Sequence, residues 1–109
     1  MKMIQAIIRP ERFEEVKDAL EEKGHFPMTC VNVKGRGVQK GVTLEYRGKK
    51  VQVDTLPKLM IELVGKDEDL DGMIATISGR ARTGKKGDGT IFVLPVDKVI
   101  RIRTGEEWM

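Results

Sequence analysis

Cysteine is almost missing from this chain of 109 residues: Cys30 stands alone, which excludes an internal disulfide framework and any cysteine-rich zinc site. Histidine is equally scarce. His25 is the only one, leaving no histidine-based metal cluster and no ready nucleophile–imidazole pair. Aromatic side chains make up 5% of the sequence, too few for the stacking surfaces that single-stranded RNA needs, and the net charge of +3 is a small excess for a nucleic-acid binder. Direct nucleic-acid binding is therefore not expected. No apolar run approaches the roughly 20 residues of a membrane span, and the opening MKMIQAIIRPERF has charges where a signal peptide needs its apolar centre. A cytoplasmic protein is expected. What is present, 39% hydrophobic and 34% charged residues, suits one globular domain over 1–109. At this size self-assembly is a natural route to further apolar burial.

Residues Lys2 to Arg9, KMIQAIIR, read as a buried strand ended by Pro10, which can open a helix. Phe13, Val16 and Leu20 recur at helical spacing until Gly24 closes the element. Met28 to Lys34 alternates apolar and polar side chains as a half-buried strand. Gly35 to Asp54 is a long glycine-rich, basic excursion with strand-like alternation around Val42 to Tyr46 and Val51 to Val53, compatible with a β-ribbon that anchors no core. Leu59 to Val64 gives a third strand. Asp67 is a candidate N-cap for a second helix whose inner face is Leu70, Met73, Ile74 and Ile77. Thr90 to Val96 and Lys98 to Arg103 supply two further strands. This order is a split βαβ pattern, which predicts an α+β, ferredoxin-like domain: an antiparallel sheet with both helices on one face and one long loop.

Between the second helix and the fourth strand lies TGKKGDGTIFV, Thr83 to Val93. Glycines let a backbone approach an anion closely, and Lys85 and Lys86 can add point charges. An isolated Gly-Asp-Gly is equally at home in a plain connecting loop. Arg101 and Arg103 alternate in VIRIRTG, so an extended backbone there would point both at one face and one phosphate.

Several blocks in fixed order carry a resemblance across nearly the whole chain: MKMIQAIIRP, GRGVQKG at Gly35 to Gly41, EYRG at Glu45 to Gly48, VDTLPK at Val53 to Lys58, ARTGKKGDGTIFV and RIRTGEE. The sequence resembles the PII signal-transduction family, which includes GlnB and GlnK proteins. The resemblance implies a ferredoxin-like subunit in a homotrimer, with ATP or ADP bound in clefts between neighbouring subunits and 2-oxoglutarate as effector. The long excursion corresponds to the family's T-loop, about 37–55. By this correspondence the nucleotide would meet Ile7, Thr29, Gly35, Gly37, Val38, Gln39, Glu62, Val64, Gly87, Asp88, Gly89, Thr90, Arg101 and Arg103. Gln39 would also ligate Mg²⁺ beside the phosphates, as suits a hard amide oxygen. Gln39, Lys40, Gly41 and Lys58 would hold 2-oxoglutarate, and Tyr46, Arg47, Lys49 and Lys50 would present the target-binding loop. The implied target is an ammonium channel first, with nitrogenase or glutamine synthetase as alternatives, so a membrane is met only through a channel partner. Arg47 is the side chain expected to insert into the partner.

Three positions depart from the family pattern. Thr90 and Val38 each stand where a cation is common; losing one charge-assisted contact costs roughly 1.5–3 kcal/mol. Val51 replaces the tyrosine that many bacterial members modify, so uridylylation there is chemically excluded. That substitution and GRGVQKG resemble archaeal GlnK and the NifI-type members associated with nitrogenase, while the full loop length favours GlnK. Two other classes stay open: a small transferase or nucleotide hydrolase, for which no activated nucleophile is evident, and a trimer that has lost ligand sensing.

Overall fold

The computed structural model describes residues 1–36, 42–46, 48–53 and 55–108, with backbone alone for 42–46 and 49–53. The apolar run after Met1 forms β1 (Lys2–Ile8), and Pro10 opens a 3₁₀ turn (Pro10–Arg12) that leads into α1 (Phe13–Glu22). α1 ends in a Schellman motif. The N–H of Gly24 donates to the carbonyl of Glu21, and that of His25 to Leu20, both at 2.9 Å. This geometry needs the left-handed φ of +87° that Gly24 adopts without penalty.

β2 (Thr29–Gly35) precedes the excursion, which contains a ribbon of β3 (Val42–Tyr46) and β4 (Lys49–Val53) paired only with each other. β5 (Leu56–Gly65) is longer than the sequence predicts because its first residues extend the ladder with the end of β2. α2 (Leu70–Ala81) and β6 (Gly89–Pro95) follow. All pairings in the main sheet are antiparallel, in the order β2-β5-β1-β6.

Strand alternation decides which face is covered. Ile4, Ala6 and Ile8 of β1 and Ile61 and Leu63 of β5 point to one side, where they meet Val16 and Leu20 of α1 and Met73, Ile77 and Ala81 of α2. Each isoleucine or leucine removed from water there contributes about 1.5–3 kcal/mol. Gly65 lets α2 approach closely, since a Cβ at that position would fall 2.3 Å from the Met73 methyl carbon. The intervening residues face away from both helices, and this second face is largely apolar: Val31, Met60, Val64, Phe92 and Leu94 belong to it. Among the described residues no helix is long and apolar enough to cross a membrane.

Two sequence expectations need correction. Lys98 to Arg103 is not a strand of the sheet; Ile100 forms a single bridge with Glu107, and residues 102–104 make a turn closed by the Gly105 N–H donating to the Arg101 carbonyl at 2.7 Å. The chain folds back because Thr104-Gly105 is a stronger turn signal than the alternation before it. Asp67 is also not an N-cap. It starts a separate 3₁₀ turn (Asp67–Asp69), and its carboxylate lies 3.1 Å from the Met1 amine, a charged partner that outcompetes a backbone N–H. The acidic run still complements the positive end of α2.

Candidate functional site

The turn between α2 and β6 is built around Asp88. Its Oδ2 accepts the backbone N–H groups of Thr83 and Gly84, both at 2.9 Å. Its Oδ1 accepts the Thr83 hydroxyl and, at 3.1 Å, Nε of Arg9 from the end of β1. These donors, the Thr83 hydroxyl foremost, hold the Asp88 carboxyl well below the usual carboxylate range despite the opposing effect of burial. The second arm of the Arg9 guanidinium donates to the Lys86 carbonyl at 2.7 Å. Lys58, from the start of β5, donates to the Gly87 carbonyl.

Gly89 ends the turn and starts β6 opposite Ile8. Its φ is +111°, and a Cβ there would lie 1.7 Å from the Ile7 carbonyl oxygen, so this position admits only glycine. Among the described residues, no hydrogen bond is donated by the backbone N–H groups of Lys86 or Gly87. The turn thus combines free N–H donors with exposed Lys85 and Lys86, the arrangement an anion requires.

Part of the expected set shares one face of the sheet without meeting at one point. Val64 lies opposite Met3, four residues along β1 from Ile7, and Thr29 and Thr90 are on the two opposite edge strands. Ile7 and Thr90 are cross-strand partners, as are Thr29 and Glu62, and all four lie on the helix-free face with Val64. The Glu62 carboxylate accepts from the Gln5 amide at 2.8 Å. Gly35 ends β2 with its backbone against the Lys58 stem, 3.6 Å from a Cβ built there. Gly37, Val38, Gln39, Lys40, Gly41 and Arg47 lie outside the described residues, while Tyr46, Lys49 and Lys50 are placed in the ribbon by their backbone only. Arg101 and Arg103 sit in the terminal hairpin and make no hydrogen bond or ion pair with the turn among the described residues. The argument that they share one face needs extended backbone and does not hold. Among the described residues no group of three or more His, Cys, Asp or Glu could hold a metal ion.

Arg9 is the site residue that sequence reasoning missed. A signal was available: a cation between the last strand residue and Pro10, where the chain must stop and turn. A cavity of about 300 Å³ also lies on the helix side of the turn, between Ile74, Ile77, Ser78 and Arg82 and the strand backbone at Asp88 and Gly89. Ile7, Asp88, Gly89 and Thr90 of the expected nucleotide residues line it, whereas Thr29, Glu62 and Val64 do not.

A split βαβ sheet with both helices on one face defines a ferredoxin-like α+β domain. Residues 1–106 match the family model of nitrogen regulatory protein P-II, and the chain belongs to that family. It is 56% identical over 106 residues to nitrogen regulatory protein P-II 2 of Methanothermobacter thermautotrophicus, covering 97% of this chain and 92% of the relative. It is 53% identical over 107 residues to nitrogen regulatory protein P-II 1 of Escherichia coli, covering 98% and 96%. Membership makes the chain a signal transducer rather than an enzyme.

Proposed function

We propose that this protein senses cellular energy and carbon status by binding ATP or ADP at the 82–89 turn and 2-oxoglutarate beside Lys58, and that it controls a nitrogen-metabolism target in the cytoplasm through the 37–55 loop. The observation that carries this reading is the turn itself, whose conformation is fixed by side chains while the N–H groups of Lys86 and Gly87 have no partner among the described residues. Ile7, Thr29, Glu62 and Val64 then offer the sheet's open face to the base. Gln39 would add Mg²⁺ beside the phosphates, supplying charge neutralisation there.

Arg101 and Arg103 make no hydrogen bond or ion pair with the turn among the described residues, so in this reading they reach the phosphates from a neighbouring subunit of a homotrimer. The open apolar face supports such assembly. Lys58 reaches both the turn and the β5 root of the loop, which suits a group that reports effector binding to the loop. With Val51 in place of a modifiable tyrosine, control runs through ligands. An ammonium channel is the first candidate target, engaged by Arg47.

Titration calorimetry with ATP, with ADP, and with 2-oxoglutarate plus Mg²⁺ after ATP tests the reading. Nucleotide binding, followed by 2-oxoglutarate binding that requires ATP and Mg²⁺, is the expected result. Absence of nucleotide binding at about 1 mM ligand would overturn it.

A further inference from the structure

We propose that Arg9 is the positioning residue of the phosphate-binding turn, aiming its N–H donors and cancelling the one negative charge inside it. The proposal rests on the nucleotide reading above and assigns a role to a residue outside that site's expected set. An aspartate in an anion cradle is an electrostatic contradiction, because a bare carboxylate repels phosphate. Here Asp88 accepts four hydrogen bonds, from Arg9, the Thr83 hydroxyl, and the N–H groups of Thr83 and Gly84, which fills the roughly four lone-pair sites of a carboxylate. No acceptor capacity is left for a magnesium ion. The guanidinium lies in direct ion-pair contact with Asp88 at 3.1 Å, both side chains being about three-quarters buried at 23% and 24% exposure.

Arg9 also orients the backbone. Its other arm draws the Lys86 carbonyl towards β1. The peptide bonds among the described residues are trans, and in a planar trans peptide the C=O and the following N–H point in opposite directions. Fixing the Lys86 carbonyl on Arg9 therefore turns the Gly87 N–H away from Arg9, out of the turn. The anchor is firm, because Arg9 follows directly on Ile8, which is buried in the central strand, and precedes Pro10, whose ring restricts the backbone.

The test is the affinity of ATP, ADP and adenosine for the wild type, Arg9→Lys, Arg9→Met and the double variant Arg9→Met/Asp88→Asn, with circular dichroism melts to check folding. Arg9→Met should weaken ATP about ten- to a hundred-fold, ADP less, and adenosine hardly at all. Arg9→Lys keeps the charge without the fork and should recover part of the loss. The double variant should also recover part of it, since the uncancelled carboxylate is gone. A purely structural role would weaken all three ligands alike and gain nothing from the second substitution. A folded Arg9→Met protein that binds ATP within about twofold of wild type overturns the Arg9 assignment alone. A wild type that does not bind ATP overturns the nucleotide reading and the assignment with it. Should Arg9→Met fail to fold, Arg9→Lys and the double variant carry the same comparison, and equal losses for ATP and adenosine in both reject the proposal.

Discussion

Asp88 is ionised far into the acid range because the Thr83 hydroxyl, two backbone N–H groups and Arg9 all favour its charged form. A carboxyl whose folded pKa is depressed contributes stability that is complete above its unfolded pKa and is lost as pH falls towards the folded one. The wild type should therefore be more stable than Asp88→Asn at neutral pH, with a gap that holds down to about pH 4 and narrows below it. Thermal melts of the two proteins from pH 7 to pH 2 check this; a gap independent of pH would show that the carboxylate's charge is not what holds the turn. Gly89 was legible as a turn residue from its neighbours, yet the contact that excludes every side chain, the Ile7 carbonyl, comes from a strand far away in sequence. Arg9 was legible as a cation where the strand stops at Pro10, but its pairing was not, for the same reason. Its partner is 79 residues away, and no local pattern of charge or spacing pairs them.

At the scale of elements, both helices follow from periodicity, since Val16 and Leu20 of α1 and Met73 and Ile77 of α2 are buried. Alternate residues of β1 and β5 are buried too, whereas the edge strands β2 and β6 bury none of theirs. The tail misleads because alternation in VIRIR speaks for a strand while the fold-back at Thr104 and Gly105 overrides it. Among the described residues the β3–β4 ribbon pairs with nothing else, and the residues on either side of the excursion, Gly35 and Leu56, are direct partners across the β2–β5 ladder. Replacing residues 36–55 by Asn-Gly would thus close the two strands with a two-residue hairpin turn. The shortened protein should melt within a few degrees of the wild type, because the β2–β5 pairing already reaches Gly35 and Leu56 and the shorter loop costs less entropy. A markedly lower melting temperature would show that the excursion supports the fold.

For the whole molecule, the dominant fact is that only one face of the sheet is covered. Phe92 and Leu94 remain 48% and 39% exposed on the other, beside Val31 and Met60. A patch of this kind on a small domain signals a partner surface. Sedimentation should find a trimer for the wild type and smaller species for Phe92→Asp, which places a charge on the apolar face; a Phe92→Asp protein that sediments with the wild type would remove this face from the interface. Cys30 gives a second view of the same question. It is exposed on the edge strand β2, and it is the chain's only thiol. A spin label attached there reports nothing but one subunit's position relative to the others, so a three-fold ring yields one inter-label distance and an asymmetric assembly yields several.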